Sequence, residues 1–210
     1  RYAMYLESSS NNTLANNTVS SSGSGIYLWS SINSTLINNV VNSSTYNGIT
    51  LENYVTRSTL AGNTLVNNTA NSSGMSGIWL DYSSGNTLTN NTANSNSSYG
   101  IYLYSASNNI LTSNTASLNN QHGVYVNYSN SNTLSKNTVA QNEQTGIYLN
   151  YANSNTVKEN TVSLHTPYPD EGIALYNSND NTVGNNTSFN NTIGINLGNS
   201  YRNKIIGNNT

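Results

Sequence analysis

A chain of 210 residues with a net charge of −2 and only 7% charged residues has little with which to neutralise phosphates, so nucleic acid is excluded as a partner. The chain has no cysteine, which excludes disulfides, thiolate metal sites and cysteine nucleophiles. No apolar run approaches the ~18 residues of a membrane span, so no membrane insertion is expected.

The chain is organised as a repeat, read here from its first copy to its last. A marker tetrapeptide opens each copy: AMYL at Ala3, GIYL at Gly25, GITL at Gly48, GIWL at Gly77, GIYL at Gly100, GVYV at Gly123, GIYL at Gly146, GIAL at Gly172 and GINL at Gly194. Most copies are 22 or 23 residues long; the third has 29 and the seventh 26. Two Asn-Thr-apolar anchors follow each marker, as in Asn86-Thr87-Leu88 and Asn91-Thr92-Ala93. In the third copy they read as Ser58-Thr59-Leu60 and Asn63-Thr64-Leu65, with the extra length placed at Val66 to Ser76. The seventh copy places its extras at Ser163 to Glu171, with Pro167 and Pro169.

Each apolar run is two to four residues long, and in the marker the apolar positions alternate, which is strand periodicity. Asn, Ser, Thr and Gly fill the intervals and favour turns. Each copy therefore reads as three short strands and three turns. The expected fold is all-β: a single right-handed parallel β-helix solenoid over residues 1–210. It has about nine coils of 22–23 residues, three short strands per coil and no evident caps.

Stacking then turns each repeat position into a column. Inward columns run through Ile26, Ile49 and Ile78, through Leu28, Leu51 and Leu80, and through Leu14, Leu36, Leu60 and Leu88. Two Asn columns flank them, one with Asn86, Asn109 and Asn132, the other with Asn39, Asn63 and Asn91. An amide has both donors and an acceptor, so stacked Asn can bond coil to coil. Asn-x-Ser/Thr sequons occur only as often as this composition yields by chance, so they carry no argument for glycosylation.

On the outer face lies an aromatic stripe. Tyr27, Trp79, Tyr102, Tyr125 and Tyr148 follow the marker glycine by two; Trp29, Tyr54, Tyr82, Tyr104, Tyr128 and Tyr151 lie just beyond. An exposed aromatic patch marks a contact surface, for a glycan or for a neighbouring rod. Among the eight carboxylates, only Glu52 and Asp81 share a column in adjacent coils, and they read as two solvated charges. Asp170 and Glu171 read as solvated corner residues, and Lys136 and Glu159 as a surface ion pair. His122 and His165 fall in non-neighbouring coils, which argues against a two-His metal site. No catalytic residue, metal or cofactor is expected.

These repeats resemble right-handed parallel β-helix proteins of the carbohydrate-binding and sugar-hydrolase type, with NosD-like repeats found in archaeal and bacterial surface proteins. The resemblance covers all nine copies and implies an extracellular, cell-surface setting. Both chain ends stand almost in phase for another coil. The expectation is therefore a structural surface or fibre protein, not an enzyme, that self-associates head to tail or laterally. The alternative is a glycan-binding or polysaccharide-degrading module of a larger cell-surface protein.

Overall fold

The computed structural model describes residues 1–53, 61–166 and 170–210. Every described strand is parallel to its neighbours, and no helix is present among the described residues. One nine-stranded sheet collects the marker strands in chain order, from Tyr2–Glu7 through Ile78–Asp81 and Ile147–Asn150 to Ile193–Gly198. A second nine-stranded sheet is built from three-residue strands, from Thr13–Ala15 to Lys204–Ile206. The third side forms two three-stranded sheets, joined by single bridges at Thr92 and Thr115. This is the β-solenoid that the repeat predicts, with the marker residues in register: Ile78 pairs with Ile49 and Ile101, and Leu80 with Leu51 and Leu103.

The core is a thin apolar column. Ile26, Leu36, Ile78, Leu88, Ile147 and Val183 are all fully buried. Each coil can bury this face only against its neighbours, so the core is continuous along the axis. The third copy differs from expectation. Leu65, not Leu60, occupies the second-sheet column, paired with Leu36 and Leu88. Its third-side strand, Thr69–Asn71, pairs with Val40–Asn42 without irregularity. The extra residues therefore precede Ala61 and do not lie at Val66 to Ser76. The Asn-Thr-Leu anchor alone could not distinguish two tandem copies of itself five residues apart. Ser58, Thr59, Leu60 and Tyr54 lie outside the described residues, as do Pro167 and Pro169.

Corners turn on left-handed residues. Between the second and third sides stand Asn16, Asn38, Asn67, Asn90, Ser113 and Lys136, all with φ between 53° and 58°. Asn tolerates that region because its short amide satisfies nearby backbone. Inside the corners run the Asn ladders. Asn114 shows the bonding of a rung. Its Oδ1 accepts from the Asn91 backbone N–H at 2.9 Å and from Asn91 Nδ2 at 3.0 Å. Its own Nδ2 donates to the Leu88 carbonyl at 3.0 Å and to Asn137 Oδ1 at 3.1 Å. Corner amides and carbonyls lie outside the sheet ladders and must find partners elsewhere; an amide side chain supplies both kinds.

Among the described residues a third buried ladder runs beside the two that the sequence suggested. The first passes through Ser34, Asn63, Asn86 and Asn109, so Asn63 belongs here and not in the second ladder. The second passes through Asn39, Asn68 and Asn91. The third runs Ser73, Asn96, Asn119 and Asn142, and then His165 takes the place of an Asn, its Nδ1 accepting from the Asn142 backbone N–H at 3.1 Å. His165 is completely buried, and its Nε2 has no hydrogen-bond partner among the described residues. It is thus a rung of the ladder, in the place of an amide.

Candidate functional site: the outer face of the first sheet

The face is built from the alternation of the marker strand. Side chains two after the marker glycine point outward, giving the row Tyr27, Thr50, Trp79, Tyr102, Tyr125, Tyr148, Ala174, Asn196. Those four after it give a second outward row: Trp29, Glu52, Asp81, Tyr104, Asn127, Asn150, Tyr176. Tyr82, Tyr128 and Tyr151 follow at the bend, each with φ near 50°. The residues expected just beyond the marker as one column therefore occupy two: Trp29 and Tyr104 on the strand, Tyr82, Tyr128 and Tyr151 on the turn. A bulky residue in the left-handed region is unusual and costs about 1–2 kcal/mol. Tyr128 and Tyr151 recover part of that by stacking at 5.0 Å with planes 6° apart, and both stay about half exposed.

Thr50 breaks the first row. On one side of it, Tyr2, Tyr5, Tyr27, Trp29 and Glu52 line an open bowl of about 260 Å³. Glu52 accepts a hydrogen bond from the Tyr27 hydroxyl, and burial and this bond to Glu52 push the phenol far above its ordinary value. Asp81, in register with Glu52, is 3% exposed. The two carboxylates share a column as expected, but they are not solvated charges.

On the other side the row is continuous over four coils. Trp79 stacks on Tyr102 at 6.2 Å, Tyr102 on Tyr125 at 5.0 Å and Tyr125 on Tyr148 at 5.1 Å, with planes within 14° of parallel. The rings spend their faces on one another, so the row presents edges and hydroxyls. Asn127 Nδ2 donates to the Tyr102 hydroxyl oxygen at 3.3 Å, and Asn150 Nδ2 to that of Tyr125 at 3.4 Å. An oxygen that accepts from within keeps its own proton for a partner outside. Burial pushes the Tyr102 and Tyr148 phenols up to about 12, so they remain neutral donors across the physiological range.

A further row, one residue before the marker glycine, was not singled out from the sequence: Ser76, Tyr99, His122, Thr145, Glu171. His122 lies parallel to the Tyr99 ring at 5.8 Å and touches Tyr148 at 4.8 Å between centroids. Its Nδ1 accepts from the Thr145 backbone N–H at 3.2 Å, which leaves the proton on Nε2; burial lowers it to about 4, so it is neutral. Glu171 is 5% exposed, at the start of the strand Glu171–Tyr176. It accepts from the Thr145 hydroxyl at 3.3 Å and the Tyr176 hydroxyl at 3.0 Å, and also from Asn196 Nδ2. Far from a solvated corner charge, it is a buried carboxylate held by three donors. Asp170 beside it accepts from the Thr192 backbone N–H at 3.0 Å, and hydrogen bonding to the Thr192 side chain, with a smaller share from backbone N–H groups, lowers its carboxyl. The signal for this row was a polar residue before each glycine in a chain of polar residues, which is no signal at all.

The ion pair of Lys136 and Glu159 is present at 3.7 Å, on the second-sheet side and mostly solvated. Among the described residues no group of three or more His, Asp or Glu could hold a metal ion. No helix there is long and apolar enough to cross a membrane.

The model of the family described as "Right handed beta helix region" matches residues 2–162 and 118–210. No curated protein sequence matches the chain. Among solved structures, a mutant of the periplasmic alginate epimerase AlgG is similar at 17% identity and a TM-score of 0.79, over 93% of this chain and 53% of its own. The A-module of the Azotobacter vinelandii mannuronan C-5 epimerase AlgE4 is similar at 15% identity and a TM-score of 0.76, over 98% and 72%. The Dettilon tailspike protein is similar at 17% identity and a TM-score of 0.76, over 97% and 46%. The chain thus spans about half the length of the first and third of these. The comparisons overturn the expectation of a structural fibre that is not an enzyme. Structures sharing this fold include two epimerases and a tailspike protein.

Proposed function

We propose that this chain, which belongs to the right-handed beta helix family, is a glycan-acting module that holds a neutral polysaccharide along the outer face of its first sheet. The supporting observation is the unbroken row Trp79, Tyr102, Tyr125 and Tyr148, backed by Asn127 and Asn150. Four rungs at the strand spacing span roughly 14 Å, so the row suits an extended chain more than a single sugar. Its donors are neutral phenols and an imidazole N–H, the groups that pair with sugar hydroxyls. The marker strands from Ile78 to Tyr176 contain no Lys or Arg, so a polyanion would meet no cation there. That separates the substrate class from the alginate named for one of the similar structures. Tyr27, Trp29, Tyr82, Tyr104, Tyr128 and Tyr151 flank the row and complete the candidate contact surface. We place the module outside the cytoplasm, in line with a periplasmic enzyme and a tailspike sharing its fold.

Affinity electrophoresis in gels containing neutral or acidic polysaccharides tests this. Retardation by a neutral polymer, weakened at least tenfold in a Tyr102→Ala, Tyr125→Ala double variant of unchanged circular dichroism, is the expected result. Equal mobility of parent and variant in every gel would refute it.

A catalytic reading has a locus at one end of this row: Glu171, Tyr176 and His122 lie beside Tyr148, and proton transfer to a glycan would use such groups. Turnover of a retained polymer that disappears in Glu171→Gln, while retention persists, would assign it.

A further inference from the structure

The second sheet turns a different face to solvent. In its three-residue strands the middle side chain is buried and its two neighbours point outward. The first outward column runs from Thr13 to Thr182, and threonine holds seven of its eight places, Ile110 being the exception. The second outward column reads Ala15, Ile37 and Val66, then Thr89, Thr112 and Ser135. From Thr13–Ala15 to Thr133–Ser135 these strands carry no charge and no aromatic ring; Lys158 is the first charged side chain in either column. Among the described residues, no hydroxyl of the first column hydrogen-bonds to the protein, and in the second column only those of Thr112 and Ser135 meet, at 3.1 Å.

A half-exposed hydroxyl without a protein partner bonds to water. Threonine is stiff about its first side-chain torsion, and here it sits half-buried between like neighbours in the coils on either side, so each hydroxyl holds its water in a fixed place. Strands stand ~4.8 Å apart, and alternate residues along one strand ~6.6 Å apart. The first column therefore fixes a row of water with the first repeat, and Thr89 and Thr112 form a second row beside it at the other. Liquid water has no such grid. Crystalline water does: rows of oxygen on a prism face of hexagonal ice recur at close to these two repeats. A sugar would find no ring here to stack on, and a charged partner no opposite charge. We propose that the outer face of the second sheet binds ice, its threonine hydroxyls and methyls engaging one row of water per coil. The six coils up to Ser135 span five strand spacings, a charge-free strip roughly 24 Å long. This site goes beyond the glycan reading and does not depend on it, since that reading uses the first sheet.

Growth of an ice hemisphere from dilute solution and nanolitre osmometry test it. The parent should enter the ice at least tenfold more than an inert protein dissolved with it, and should hold the freezing point below the melting point. Thr89→Lys with Thr112→Lys sets two long charged side chains on the strip. The fold already carries Lys158 in that column, so the variant should keep the parent's circular dichroism while its gap between melting and freezing falls at least fivefold. Thr138→Lys, on the third side, should leave the gap unchanged, and so should the Tyr102→Ala, Tyr125→Ala pair on the first sheet. Absence of both ice enrichment and a freezing gap in the parent overturns the ice face and leaves the glycan reading untouched. A gap that survives the double Lys variant, or one abolished by Thr138→Lys, overturns its placement on the second sheet. Ice enrichment with no retardation by any polysaccharide upholds the ice face and overturns the glycan reading alone.

Discussion

Replacing His165 with Asn should remove about half of the acid sensitivity that the fold's two histidines give it. His165 stands where every neighbouring rung of the third ladder is an amide, and it is fully buried. Burial lowers it from 6.5 to about 4, against the opposing pull of the Asn142 and Val139 backbone groups and of Asp170. Between those two values the unfolded chain binds a proton that the folded chain does not, so stability falls as pH falls through this window. A tenfold change in proton affinity is ~1.4 kcal/mol, so His165 alone accounts for about 2 kcal/mol lost between pH ~7 and pH ~4.5. His122, also lowered to about 4 by burial, adds a comparable amount of the same sign. An Asn at 165 has no proton to gain. It would accept from the Asn142 N–H as Asn142 does from Asn119, and donate to the Val139 carbonyl as Asn142 does to that of Ala116. Urea denaturation at the two pH values is the assay. With a slope of ~2 kcal/mol per molar, the parent midpoint should fall by roughly 2 M and the variant midpoint by about half of that. Equal falls for the two proteins would refute the reasoning, since the buried imidazole would then not be the group that titrates.

Asn114→Ala leaves the Asn91 backbone N–H, Asn91 Nδ2 and the Leu88 carbonyl without their partner; at ~1–3 kcal/mol for each bare group, a loss of about 3 kcal/mol or more is expected, read as a lower urea midpoint. Gly198→Ala would drive a methyl into the Tyr176 ring, which lies against that glycine. It should cost about 1–3 kcal/mol by overpacking, and Tyr176→Ala in the same chain should cancel most of that cost in a double-mutant cycle. Near-ultraviolet titration should show Tyr102 and Tyr148 ionising only around pH 12; complete ionisation of all tyrosines by about pH 11 would contradict their burial.

The coils were legible because a parallel stack demands the same residue at the same step. Gly, Ile and Leu of the marker recur every 22 or 23 residues and pair in the predicted register. The second-sheet column was misread only in the third copy, where two like anchors stand five residues apart and only pairing with Leu36 and Leu88 chooses Leu65. The third Asn ladder recurs at the same step, at Asn96, Asn119 and Asn142, but it lacks the apolar neighbour that made the other two visible.

Periodicity by itself determined the solenoid, its outward tyrosines and two of its amide ladders, because those follow from which residues are spaced one coil apart. Only the tertiary structure decided what those residues do across rows. Tyr176 reaches back along its own strand to Glu171, His165 takes the place of an amide, and the tyrosine faces are used on one another, leaving hydroxyls outward. Such contacts depend on side-chain direction and on the width of the gap between rows, and neither is written in a repeat's spacing.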